Sequence, residues 1–213
     1  MKWILRVLQV NLLALIIIAI SHNPGLEALA SKESVKITGP PTGITKNAGE
    51  VVSITVEGTD GIRIIQLSAG NPDIEIFSGV QKSSSAVFNY TIPIEAAGSI
   101  NIAAVGFGEA GYAGMDSVYI NVIVDANMDS ITVYPEMIYM RETETTLLSV
   151  AGHYDDGVIR KLNHHPEVFY SCADTSIARF IEPGMVKSIA RGRTIAILSF
   201  QGDTVMVDLE VLP

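Results

Sequence analysis

Three histidines and two aspartates are the densest group of metal-binding side-chain types in this sequence. His153, His164 and His165 fall within 13 residues, beside Asp155 and Asp156. Imidazole and carboxylate ligands together bind zinc, copper or nickel. Adjacent strand residues point to opposite faces, so His164 and His165 could share one ion only from a loop. The alternative, which we favour, is a solvated turn that carries imidazoles.

A second candidate metal site lies in a polar segment near the middle of the chain. Asp125, Asn127 and Asp129 occupy alternate positions, and calcium loops space their oxygen ligands in this way. The glycine and the bidentate glutamate of an EF-hand loop are missing, and ordinary polar linkers have a similar composition. Calcium at this linker is therefore a hypothesis, and we expect no other cofactor.

Two aromatic residues in a glycine-rich run are the candidate binding residues. Phe107 and Tyr112 lie within residues 106–114, which lack the lysine of a phosphate loop and open no helix. We predict a flexible hairpin tip that exposes both rings, because aromatic side chains on loops are common contact residues. Ordinary packing of the loop is the alternative.

The remaining chemistry argues against catalysis. The single cysteine, Cys172, has no histidine at a useful spacing, and we predict that it fills a small buried position. An enzyme needs a convergent set of acid, base or nucleophilic groups, and no such set is evident. The sequence therefore predicts a protein that is not an enzyme, and a metal-dependent enzyme built on the histidines is the weakest alternative.

Composition narrows the class of protein further. The chain has 213 residues, 48% of them hydrophobic, which is too many for intrinsic disorder. Its formal net charge of −9 argues against nucleic-acid binding, because a binder needs a positive face to displace counterions from phosphates. One cysteine excludes an internal disulfide and a cysteine-rich zinc site.

The first 30 residues have the pattern of a secretory signal peptide. Lys2 and Arg6 precede an apolar run at 12–20, and small residues at 28–30 suit cleavage. An uncleaved anchor is the alternative, but the apolar stretch is short for a membrane span. Cleavage before Ser31 leaves 12 basic and 22 acidic residues, a net charge of −10. We expect a secreted, periplasmic or cell-surface protein with no membrane span after cleavage.

Alternation of apolar and polar residues dominates the rest of the chain and predicts an all-β fold. Turn-forming residues separate short strands, as in a β-sandwich. The clearest alternating segments are 52–56, 62–64, 74–76, 87–92, 100–105, 118–124, 131–133, 146–150, 177–180, 194–198 and 205–211. The polar linker divides them, so we predict two tandem immunoglobulin-like antiparallel β-sandwiches, at 31–126 and 127–213, after the signal peptide at 1–30.

Residues 131–211 resemble a group 2 bacterial immunoglobulin-like domain. The matching motifs are the entry strand at 131–135, the turn at 154–157 and the stretches at 170–178 and 184–197. Residues 141–143 lack the glycine that is usual before the second strand, and Cys172 stands where serine is more common. The first half is similar to such modules only in general style.

The resemblance implies a non-enzymatic module for binding, adhesion or spacing in the bacterial envelope. Its partner would be a protein or polysaccharide of the envelope, bound through loops or by strand addition to a sheet edge. The alternative is a carbohydrate- or matrix-binding accessory protein, which exposed aromatic platforms would favour.

Overall fold

The computed structural model describes residues 34–213, and the predicted signal peptide lies outside them. The fold is all-β, as the alternation predicts. Every regular element of this part of the chain is a strand, so it contains no helix that could cross a membrane.

Residues 34–126 form a sandwich of two sheets. A three-stranded sheet has the order β1-β3-β6, and a five-stranded sheet has the order β2-β8-β7-β4-β5. We call this sandwich the first unit. Its strands are β1 (Val35–Gly39), β2 (Ile44–Asn47), β3 (Val51–Gly58), β4 (Ile64–Gly70), β5 (Phe77–Gln81), β6 (Ser85–Thr91), β7 (Gly98–Gly108) and β8 (Gly111–Ile123).

Residues 127–213 form a second unit with a related topology. Its sheets have the orders β10-β18-β17-β14, β13-β12-β9 and β11-β16-β15. Its strands are β9 (Met128–Tyr134), β10 (Met137–Arg141), β11 (Thr145–Leu147), β12 (Ser149–Tyr154), β13 (Ile159–Lys161), β14 (Phe169–Cys172), β15 (Ala178–Glu182), β16 (Met185–Ser188), β17 (Gly192–Phe200) and β18 (Asp203–Leu212).

Both units begin in the same way. The first strand stops before a proline, Pro40 or Pro135, and the following strand joins the opposite sheet. Proline has no N–H to donate to a ladder, so it suits the point where a strand leaves one sheet. The following strand then pairs in parallel with the last strand of its unit, β2 with β8 and β10 with β18.

There are two hydrophobic cores, one centred in each unit, and Ala97 and Val124 of the first unit pack with the second core. In the first, every second residue of β4 and β7 points inward, and Leu67, Ile100 and Ile102 are completely buried. In the second, Leu198 and Phe200 of β17 lie in the core. Burying large apolar side chains contributes about 1.5–3 kcal/mol each, so these inward rows hold the sheets together without a disulfide.

Candidate functional site

The two predicted contact aromatics lie opposite each other on neighbouring strands. Phe107 of β7 pairs with Tyr112 of β8, and only residues 109 and 110 separate the two strands. Residues 106–114 do form a hairpin, as predicted, and its ladder leaves only those two residues as the connecting turn. Gly106 and Gly114 pair within the ladder. Because glycine has no side chain, these positions show no alternation of apolar and polar residues in the sequence.

The outer face of the five-stranded sheet carries two apolar rows, and Phe107 and Tyr112 belong to the first of them. In the first row, Tyr112 of β8 pairs with Phe107, which pairs in turn with Ile64 of β4. In the second row, Met115 of β8 pairs with Val105 of β7, and Gln66 links Val105 to Val80 of β5. Paired residues in a ladder share a face, so these side chains form one surface.

We call this surface the apolar face, made of Ile64, Val80, Val105, Phe107, Tyr112 and Met115. Tyr112 is 48% exposed, Met115 42% and Val80 60%, while the other three are half-buried. The neighbouring row has small side chains and borders the apolar face; it contains Ser68, Ser78, Ala103 and Ser117. Apolar side chains gathered on one partly exposed face in this way are typical of binding surfaces.

The border of the apolar face carries a balanced pair of charges. The Arg63 guanidinium lies 3.1 Å from the Glu109 carboxylate, and both side chains are mainly exposed. An exposed pair of this kind contributes little stability. At this edge the apolar face is therefore bordered by an ion pair without net charge.

The candidate calcium residues lie apart from this face, at the junction of the units. Asn127 is hydrogen-bonded to Asp155. The backbone N–H and the side-chain amide of Asn127 donate to the two carboxylate oxygens of Asp155, at 3.0 and 2.8 Å. Asp129 lies in β9 and is exposed. Among residues 34–213 no three His, Cys, Asp or Glu side chains are gathered as a metal site.

Calcium binding at Asp125, Asn127 and Asp129 stays a prediction. Thermal melting of the mature chain with and without calcium tests it. If the linker binds calcium, the Tm of the mature chain should rise by several degrees when calcium replaces a chelator. The Asp129→Asn variant changes one of the three candidate ligands and should lose that rise in Tm. Identical melting curves for the mature chain in both conditions would contradict the hypothesis.

The turn next to the linker has the conformation that the sequence predicts. Gly157 has a φ of +77° in the turn between β12 and β13. The Arg160 side chain is buried, donates to both oxygens of Asp156 at 3.1 and 2.6 Å, and lies 4.6 Å from the ring centre of Tyr154. The hydrogen bonds from Arg160 lower the pKa of Asp156. These contacts hold the turn that presents Asp155 to Asn127.

The histidines occupy two separate environments. The His153 Nε2 lies 2.9 Å from the Thr132 hydroxyl on the exposed side of β12 and β9. His164 and His165 lie in the loop between β13 and β14, where His164 contacts Asp73 of the first unit. Sequence reasoning missed Asp73, because nothing local connects it with a residue 91 positions away.

Cys172 lies at the end of β14, where it is half-buried against the second core. Burial raises the pKa of its thiol. A thiol becomes a nucleophile through its thiolate, so this environment opposes reactivity. Among the described residues, the apolar face and the junction between the two units are the two candidate functional sites.

No protein-family model matches the sequence. No curated protein matches it either. Solved structures give weak likenesses to several β-domain proteins.

Domains 4 and 5 of the S-layer protein SbsC are 15% identical, with 70% of this chain and 77% of that chain covered and a TM-score of 0.35. The fibronectin(III)-like modules of Clostridium thermocellum CbhA are 16% identical, with 83% and 93% covered and a TM-score of 0.32. A Parabacteroides merdae β-glucuronidase is 14% identical, with a TM-score of 0.39; 84% of this chain is covered, but only 25% of the enzyme. We draw nothing about function from these likenesses.

Proposed function

We propose that this chain is an exported, non-enzymatic binding module of the bacterial envelope, and that the apolar face binds a protein partner. The predicted signal peptide and the resemblance to envelope modules support the location. The single observation that supports the mode of binding is the pair of cross-strand apolar rows, partly open to solvent beside a row of small side chains. Burying such a surface is favourable at roughly 25 cal/mol per Å².

A protein partner fits the apolar face better than a sugar does. Sugar platforms use aromatic rings to cover the apolar sides of sugar rings, whereas four of the six side chains here are aliphatic or thioether groups. Methionine and aromatic residues are instead enriched in the cores of protein interfaces. The only tryptophan of the sequence, Trp3, lies outside the described residues.

A charge at Met115 of the apolar face should weaken binding. We expect Met115→Asp to weaken capture of an envelope protein by the immobilised mature chain about 30-fold, the effect of losing a hot-spot residue of about 2 kcal/mol. Met115 is partly exposed, so the variant should fold normally. The measurement is the apparent Kd for envelope extract, with the bound material identified before and after protease digestion.

The matched control is Met206→Asp in β18, where methionine is 66% exposed on the second unit. It introduces the same charge into a similar sheet surface and should bind like the unsubstituted chain. Equal binding by Met115→Asp and the unsubstituted chain would contradict the proposal. Capture that survives protease digestion of the extract would instead favour a polysaccharide ligand.

A further inference from the structure

The loop between β13 and β14 connects the two units. We call residues 162–168 the histidine loop. The backbone N–H of His164 donates to Asp73 Oδ2 at 2.7 Å, and its ring Nδ1 lies 3.1 Å from Asp73 Oδ1. The Asp73 side chain is only 8% exposed. Both oxygens of the Asp73 carboxylate, in the first unit, therefore contact His164 of the second unit.

The first unit holds Asp73 in position by its own contacts. The Asp73 backbone N–H donates to Asn71 Oδ1 at 3.0 Å, and the Asn71 side-chain amide donates to the carbonyl of Ser99 at 3.0 Å. These bonds lie within the first unit and hold the backbone at Asp73, the residue whose carboxylate meets the histidine loop.

His165 is the second contact of the histidine loop, and it fills the space beside Gly98. A methyl group placed on Gly98 would come within 3.0 Å of His165 Cδ2 and 3.1 Å of Pro166 Cδ, and the φ of Gly98 is +76°. The other side of the His165 ring packs edge-on against Phe200, with ring centres 4.7 Å apart. The ring is thus wedged between the backbone of the first unit and the core of the second.

The hydrogen bonding of His165 favours the neutral ring. Its Nδ1 accepts the backbone N–H of Glu167 at 3.2 Å, so a proton on Nδ1 would break that bond. The charged groups that act on the ring are the carboxylates of Glu167 and Asp73, and the Tyr154 side chain lines the same cleft as the ring. Burial lowers the pKa of His165, and this effect exceeds the opposing influence of the Glu167 and Asp73 carboxylates.

Protons can reach His165 through a cleft at the junction. The cleft has a volume of about 330 Å³ and is lined by Ser99 and Asn121 from the first unit and by Tyr154, His165 and Gln201 from the second. Protonation of the His165 ring from this cleft would break its bond with the Glu167 N–H and place a charge between the two units.

We propose that the histidine loop is a latch that fixes the two units as one rigid body near neutral pH and that acid releases it by protonating His165. Docking favours the neutral ring, so its stabilising effect is complete above the ordinary histidine pKa of 6.5. It is lost as the pH falls through the lowered pKa of the docked ring.

Residual dipolar couplings of the mature chain test the latch directly. At about pH 7.5 one alignment tensor should fit the backbone couplings of both units; at about pH 5, where ordinary carboxylates stay ionised, the two units should need tensors of different magnitude. We expect Asp73→Ala to need two tensors at both pH values. Gly98→Val should also need two tensors at both pH values, because the new side chain would crowd His165.

His165→Phe separates titration from packing. Phenylalanine keeps a ring against Phe200 but cannot take a proton, so one tensor should fit both units at both pH values. The matched control is His153→Phe, which should keep the acid response of the unsubstituted chain. The latch is wrong if Asp73→Ala and Gly98→Val both keep a single tensor at neutral pH. Acid release that persists in His165→Phe would overturn the role of His165.

Discussion

Asn163→Ala is expected to lower the stability of the second unit by about 3 kcal/mol, because two buried backbone groups lose their partners and each unsatisfied group costs about 1–3 kcal/mol. The buried Asn163 side chain accepts from the Val150 N–H at 2.9 Å and donates to the Leu148 carbonyl at 2.5 Å. Its own carbonyl accepts the Tyr170 hydroxyl at 2.8 Å. One side chain therefore ties the start of the histidine loop to β12.

Thermal melting and hydrogen exchange measure this loss. A domain of this size loses about 4–8 °C of Tm per kcal/mol, so the second unit should melt on the order of 15 °C lower. Peptide-resolved exchange should rise in β12 and β17 and stay unchanged in β3. Asn89→Ala is the matched control, because Asn89 is exposed on β6. Equal melting of both variants would show that the Asn163 bonds contribute nothing.

Phe200→Ala is expected to cost about 4 kcal/mol, the typical range for a buried phenylalanine being about 3–5 kcal/mol. Phe200 is 1% exposed, and its ring supports both the second core and His165. The cavity should therefore destabilise the second unit and also undock the histidine loop. Denaturant unfolding measures the first effect, and the alignment tensors described for the latch measure the second.

The control for this substitution lies on the neighbouring strand. Phe169 of β14 is 71% exposed, and Phe169→Ala removes the same atoms from a surface position. It should change the free energy of unfolding by less than about 0.5 kcal/mol. A Phe200→Ala variant as stable as Phe169→Ala would contradict the placement of Phe200 in the core.

Alternation predicted much of the fold because inward and outward side chains of a sandwich strand differ in polarity. Residues 52–56 and 100–105 lie in β3 and β7 as expected, and residues 118–123 lie in β8, which ends one residue before the predicted segment does. Residues 74–76 alternate equally well, yet they lie in the connection before β5. Ile74 packs against the first core from this connection, and the local pattern is the same whether a side chain reaches a core from a strand or from a turn.

The candidate site was predictable only in part. Aromatic residues in a glycine-rich run indicated Phe107 and Tyr112, but not that they pair across a ladder. Val80 joins the same surface because β5 pairs with β4, and pairing over such distances leaves no local signal. The contact of Asp73 with His164 was hidden for the same reason, since the fold alone brings these residues together.

The parallel pairing of entry and exit strands has a mechanical consequence. Ile44–Asn47 runs beside the end of β8 over four paired positions, and Met137–Arg141 runs beside β18 over five. A pulling force on the two ends of either unit would draw these neighbours along each other and load their hydrogen bonds in shear. Bonds loaded in shear break together, whereas bonds at a peeling edge break one at a time. Each unit would therefore resist extension most strongly along the line that joins its ends.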